Sequence, residues 1–181
     1  MNQIRSFISI KIPKEVKEKV KEVQEKLPEF IGKTTEINNI HLTLKFLGEI
    51  DEKKFERIKE RLRSIKFNKF MIDVGDIGVF SEKFIRIVWL HLTNCEKLQK
   101  EVDEKLKEIF DKEERFMSHL TIARVKSCDK EKFLEELRNI EVPKIKFEVE
   151  KFYLMKSELS SEGPKYKIIE EYDLDKNQRL K

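Results

Sequence analysis

Cysteine is almost missing from this chain: 181 residues hold two, Cys95 and Cys128, far apart and without a C-x-x-C spacing. That leaves no basis for a disulfide framework or a cysteine-ligated metal, and two ordinary reduced thiols are expected. Long apolar runs are missing as well. The longest, around Phe84 to Leu92, is interrupted by Arg86 and His91 and falls short of the roughly 20 apolar residues of a membrane-spanning helix. Met1 to Pro13 has no apolar signal core and reads as a strand, so a cytoplasmic protein without membrane attachment is expected. Charge of one sign is also in short supply. Lys+Arg 39 against Asp+Glu 35 leaves +4, which suits a polyanionic partner but not a protein that coats nucleic acid. Most of those charges alternate as Lys and Glu at helical spacing, the pattern of solvated helix faces. No Gly/Ser/Pro-rich linker divides the chain, and no apolar stripe is left over for a partner subunit, so one monomeric unit is expected.

What is present is a pattern written twice. Ile4 to Ile12 alternates as a strand; Pro13 then opens a helix whose apolar stripe is Val16, Val20, Val23 and Leu27. A strand from His41 to Gly48 follows, then Asp51 as N-cap of a helix carrying Phe55, Ile58, Leu62 and Ile65, then a strand from Phe70 to Phe80. The order restarts with a strand from Phe84 to Leu92. Thr93 and Glu96 have capping-box spacing before a helix with Leu98, Val102, Leu106 and Ile109. His119 to Val125 is the next strand, Asp129 opens a helix with Phe133 and Leu137, and Ile145 to Met155 is a strand again. A closing strand spans Tyr166 to Leu174. The repeat therefore covers about 4–80 and 84–157. His41 is followed by Asp51 and Phe55 at the same offsets as Asp129 and Phe133 follow His119. The expected fold is α+β: two pseudo-symmetric lobes, each an antiparallel-rich sheet with helices on its outer face, around a central cleft.

Histidine is used three times, and two of the three stand at matched positions. Along a strand, residues two apart share a face, roughly 6.5 Å apart, so His41 lies beside Thr43 and His119 beside Thr121, with Leu42, Leu44, Leu120 and Ile122 turned inward. Brought together by a pseudo-twofold axis, two imidazoles and two hydroxyls meet the needs of phosphodiester displacement. One imidazole takes a proton from water, the other gives one to the leaving ribose oxygen, and the hydroxyls donate to the non-bridging oxygens. No metal or other cofactor is needed. His91-Leu92-Thr93 repeats the motif a third time; there Thr93 reads as a helix cap and His91 as a structural or surface residue, matched in the first half by a position near Lys11.

At these residues the sequence resembles the 2'-5' RNA ligase family, the RNA 2',3'-cyclic phosphodiesterases of the two-histidine phosphoesterase superfamily. Arg5 to Ile10 is similar to its opening strand, Asn39 to Gly48 to its first signature, Phe116 to Arg124 to its second, and Lys156 to Tyr166 to its C-terminal hairpin. Met117-Ser118 departs from it, since a proline often precedes the second histidine in the family. The resemblance implies hydrolysis of an RNA 2',3'-cyclic phosphate end, tRNA fragments among the candidate substrates, to a 2'-phosphomonoester. It also implies His41 as proton donor to the 3' oxygen, His119 as proton acceptor from water, and Arg124 as a phosphate or nucleotide contact. Some members join RNA ends through a 2'-5' linkage, with a 5'-hydroxyl replacing water.

Strict alternation puts Arg124 on the face opposite His119, so a bulge or twist must re-aim it. By the same parity Lys45 is a candidate for the cleft. Phe7 and Phe46 are placed in the core, Gly48 in the turn to the next helix, and Ser157, Glu158 and Tyr166 at the hairpin or cleft rim. The basic tail Lys176 to Lys181 adds at most nonspecific attraction to phosphate. Two further readings stay open: small cyclic nucleotides as the true substrates, or an RNA-end binding module without turnover.

Overall fold

The period-two stretches become strands wherever one of their faces finds a layer of helices to cover it. In the computed structural model, which describes residues 3–160 and 163–175, the first half runs β1 (Ile4–Lys11), α1 (Lys14–Gln24), β2 (Ile31–Thr34), a 3-10 turn (Ile37–Asn39), β3 (His41–Ile50), α2 (Glu52–Arg63) and β4 (Phe70–Val79). The second half runs β5 (Ile87–Leu92), α3 (Glu96–Leu106), β6 (His119–Ser127), α4 (Lys130–Arg138), β7 (Ile145–Val149), β8 (Lys151–Ser160) and β9 (Gly163–Asp173). The helices α2 and α4 begin where the sequence predicts. Asp51 Oδ1 accepts from the Lys54 amide at 2.8 Å and Asp129 Oδ1 from the Lys132 amide at 3.3 Å, each satisfying an otherwise orphaned first-turn donor. None of the described helices is long and apolar enough to cross a membrane.

All nine strands join one curled antiparallel sheet in the order β7-β4-β5-β6-β3-β1-β8-β9, with β2 added on the edge of β6. Its two wings, β7-β4-β5-β6 and β3-β1-β8-β9, are the two lobes, and they meet at a single register pair, Leu42↔Leu120. The wings do not coincide with the sequence repeats. The β4 strand of the first repeat lies against β5 of the second, and β8 of the second lies against β1 of the first. The helices are exchanged in the same way. Gln24 of α1 reaches the Ile122 carbonyl of β6, and Asp103 of α3 pairs with Lys45 of β3. One apolar core runs beneath both wings, from Ile8, Val20 and Leu42 to Leu90, Val102 and Leu120.

Four local expectations are corrected. The strand predicted over Ile145 to Met155 is two strands: β7 completes the wing of β4, β8 completes the wing of β1, and Glu150 belongs to neither. The strand predicted from Phe84 begins at Ile87, and Phe84 is exposed in the preceding turn. Thr93 is not a helix cap. Asn94 turns in the left-handed region at φ 64° and α3 starts only after Cys95, so Thr93 stays with the sheet, where its hydroxyl accepts from the Asp73 amide at 3.1 Å. Strand β2 has no counterpart in the sequence reading. Its four residues are all exposed and carry no alternation to see. The tail at 176–181 lies outside the described residues.

Candidate active site

The junction of β3 and β6 builds the site. Leu42 and Leu120 face each other and are fully buried on the core side; the residues flanking them therefore share the opposite face. That face carries His41 and Thr43 from one wing, and His119 and Thr121 from the other, all half-buried. As diagonal neighbours across a two-strand junction, the two histidines sit about 7–8 Å apart at the backbone, a spacing that admits one phosphoryl group between their rings. From Ala123 onward β2, not β3, holds the edge of β6, so the two motif strands part and leave a groove.

Each imidazole is held the same way. His41 Nδ1 lies 2.7 Å from the Asn39 carbonyl, and His119 Nδ1 lies 2.8 Å from the Met117 carbonyl. A carbonyl only accepts, so Nδ1 carries the proton and Nε2 is the free basic nitrogen of each ring. His41 Nε2 is 3.1 Å from Thr43 Oγ1. The strand entries are fixed in turn. Asn39 Nδ2 donates to the Pro164 carbonyl of the β8–β9 hairpin, and the buried Ser118 hydroxyl donates to the Leu92 carbonyl. Ser118, where the family often has proline, thus extends the β5–β6 ladder by one more link, with the Leu92 amide donating to the Ser118 carbonyl.

Both motif strands then bulge at the same place. Opposite β1 the register skips Leu44, and opposite β5 it skips Ile122, so alternation reverses and the residue five places after each histidine returns to the groove face. In β6 that residue is Arg124, exposed and close enough to act electrostatically on His41 and Tyr166. In β3 it is Phe46, 74% exposed. The bulge corrects two expectations together. Lys45 is not in the groove but in the core, and Phe46 is not in the core but at the groove. Phe7 is buried as expected, yet its ring centroid is 4.9 Å from that of His41, and Tyr166 completes the cage at 5.0 Å from both. Gly48 lies inside β3 at φ 70°, beside a second irregularity, rather than in the turn to α2. Ser157 and Tyr166 are paired across the β8–β9 hairpin, and Glu158 is bonded to Lys156 and Lys167.

Burial lowers the pKa of both histidines. For His41 the Asn39 carbonyl opposes that effect, while the charges of Lys17, His119 and Arg124 add to it. For His119 the Met117 carbonyl opposes it and His91 adds to it. Lys17, His91 and Phe80 were not singled out as site residues from sequence. His91 is the direct cross-strand partner of His119, as Lys11 is of His41, so the third histidine, read from sequence as a structural or surface residue, shares the groove face. Phe80 packs edge-on against His119 at 4.9 Å and is 53% exposed. The signal for His91 was its register match to Lys11; Phe80 and Lys17 had none. Cys95 and Cys128 are both free, and no cluster of three His, Cys, Asp or Glu side chains arises among the described residues.

The LigT like phosphoesterase family matches residues 10–89 and again 92–166. The RNA 2',3'-cyclic phosphodiesterase of Methanocaldococcus jannaschii is 37% identical over 177 residues, spanning 93% of this chain and 100% of that protein. That of Thermotoga maritima is 37% identical over 177 residues, spanning 93% and 94%. Among solved structures, TT0787 of Thermus thermophilus shares the fold with a TM-score of 0.82 at 24% identity, over 97% of this chain and 100% of that one. LigT of E. coli, solved with 3'-AMP, does so at 0.78 and 22% identity, over 95% and 98%. With two copies of the motif, the shared fold and relatives aligned along nearly its whole length, the chain belongs to the LigT-like phosphoesterase family of two-histidine enzymes.

Proposed function

We propose that this protein opens the 2',3'-cyclic phosphate at an RNA end to a 2'-phosphomonoester, using its two histidines as acid and base and no metal. The observation that carries the reading is the pair of imidazoles on converging strands, each tied through Nδ1 to a carbonyl, with Nε2 left for substrate. Water attacks phosphorus as the neutral His119 takes its proton at Nε2; the bond from phosphorus to the 3' oxygen breaks as His41, entering the step as imidazolium, gives that oxygen its Nε2 proton. Thr43 and Thr121 donate to the non-bridging oxygens and Arg124 adds a fixed positive charge, all in place before the reaction starts. The acid and base assignment follows the family resemblance. The same forward step with a 5'-hydroxyl in place of water, its proton again taken by His119 as the bond to the 3' oxygen breaks, forms a 2'-5' linkage, and its reversal cuts that linkage back to the cyclic phosphate.

The test is direct. Protein treated with a chelator and dialysed is incubated with a cyclic-phosphate-ended oligonucleotide, and retained turnover to the 2'-phosphate is the expected result. Activity that vanishes with chelation and returns with a divalent ion would discard the metal-free mechanism. A pH profile adds a second check. In the free protein both imidazoles titrate below their ordinary value, so the kcat/KM bell should peak on the acid side of about pH 6.5. A bound phosphate favours the protonated rings, so the kcat bell should be displaced to higher pH. Coincident bells centred above pH 7 would contradict the burial described here.

A further inference from the structure

Helix α1 pairs its lysines by a simple rule. Lys14 meets Glu18, Lys19 meets Glu22 and Lys21 meets Glu25, each at i+3 or i+4. Lys17 is the exception, because the positions three and four residues away are Pro13, Lys14, Val20 and Lys21. Its side chain is half-buried and turns instead toward the strand entry of β3, where Nζ donates to the Asn38 carbonyl at 3.3 Å. That carbonyl is next in the chain to the one that anchors His41. Lys11 approaches from the other side. It is the cross-strand partner of His41, exposed, with Nζ 5.3 Å from the centre of the Tyr153 ring. Neither lysine forms an ion pair among the described residues, and the charge of Lys11 bears on Lys17. Lys151, at the end of the neighbouring strand β8, shows the ordinary alternative, being paired to both Glu171 and Asp173.

We infer that Lys11 and Lys17 form a second anion site beside the groove, which takes the phosphodiester on the 5' side of the terminal nucleotide. The inference rests on the reaction proposed above and names its substrate class: an RNA strand rather than a free cyclic mononucleotide. A carbonyl for Lys17 and an aromatic ring for Lys11 leave both ammonium charges without a carboxylate among the described residues, so the two repel one another. An anion placed between them removes the repulsion. The cage of Phe7 and Tyr166 on His41 puts the terminal nucleoside on this wing, and the next phosphate of a strand leaving that nucleoside is one nucleotide from the cyclic one. Cross-strand neighbours lie about 4.5–5.5 Å apart, and a lysine stem spans the remaining gap. A cyclic mononucleotide carries no second phosphate and gains nothing from either lysine.

The experiment compares wild type with Lys11→Gln, Lys17→Gln and the double variant on two substrates, a short oligonucleotide ending in a cyclic phosphate and 2',3'-cyclic AMP. Lys19→Gln serves as the control on the same helix. Each site variant should raise KM for the oligonucleotide by about fivefold, the upper range of an exposed ion pair. Each should also flatten the dependence of log KM on log salt by about 0.7. The KM for 2',3'-cyclic AMP should stay within twofold, while any change in kcat that arises through His41, on which the charge of Lys17 acts, should be the same on both substrates. An oligonucleotide whose last phosphodiester is an uncharged methylphosphonate should lose the same factor with wild type and nothing further with the double variant. Equal rises in KM on both substrates, or no rise on either, would overturn the site. Should wild type open neither substrate, the proposed reaction itself fails. Binding of a 2'-phosphate-ended oligonucleotide against a nucleoside 2'-monophosphate then still decides the lysines, by the same salt slopes.

Discussion

Replacing His41 or His119 by alanine is expected to lower kcat on a cyclic-phosphate-ended oligonucleotide by roughly 10²–10⁴-fold each, the usual worth of one positioned proton transfer. The loss should fall on kcat more than on KM, because Thr43, Thr121 and Arg124 remain to hold the anion. The loss in the double variant should be far less than the product of the two single losses. Once the acid is gone the leaving oxygen departs unprotonated, and improving the nucleophile no longer addresses the slow event. His91→Ala tests the location of the chemistry. It lies across from His119 but has no carbonyl anchor among the described residues of the kind that holds the other two rings, and its loss should leave kcat within a few-fold. Either motif variant retaining more than a tenth of wild-type kcat would remove that histidine from the reaction.

The second large effect concerns stability. Asp103→Ala is expected to destabilise the fold by about 3–5 kcal/mol, because it strands a buried ammonium. The Lys45 and Asp103 side chains are each only 6% exposed and meet at 2.5 Å. Gln99 Nε2 at 2.7 Å and the Glu113 amide at 2.9 Å also donate to the carboxylate, while Lys45 Nζ donates to the Asp111 carbonyl. Replacing both partners by apolar residues, Lys45→Met with Asp103→Leu, should cost much less than either single change. Urea midpoints at constant slope read these differences. Burial alone would raise the Asp103 carboxyl, but hydrogen bonds from Lys45, Glu113 and Gln99 hold it below the usual range. The pair's contribution is therefore complete above the ordinary aspartate range near ~3.9 and is lost as acid brings the solution down through the depressed value. A single variant as stable as wild type at neutral pH would show that the buried pair contributes nothing to the fold.

Much of this molecule can be read from the order of its residues, and the exceptions share a cause. The paired His-x-Thr strands, both aspartate caps and the duplicated order of elements follow from side chains whose spacing states their role. A bulge states nothing. Leu44-Lys45 and Ile122-Ala123 continue the look of a strand, yet one extra residue in each reverses the side chains next to follow. That is why Lys45 and Phe46 exchange their expected places while Arg124 is recovered for the groove. The break at Glu150 is hidden likewise, since both sides of it alternate as strands. Only the curl of the sheet shows that they border different neighbours. Lys17 escapes notice because it sits among lysines that look the same and are neutralised by glutamates three or four residues away.

The exchange of β4, β8, α1 and α3 between the two wings has a bearing on origin. Half of this chain, taken alone, would leave its histidine strand without the helix beneath it and its first strand without a flanking neighbour. A single-motif ancestor would have needed a second identical molecule to complete both, as a swapped two-fold dimer. Fusing the two genes would then have freed each copy to diverge, so that five places after its histidine one carries Phe46 and the other Arg124.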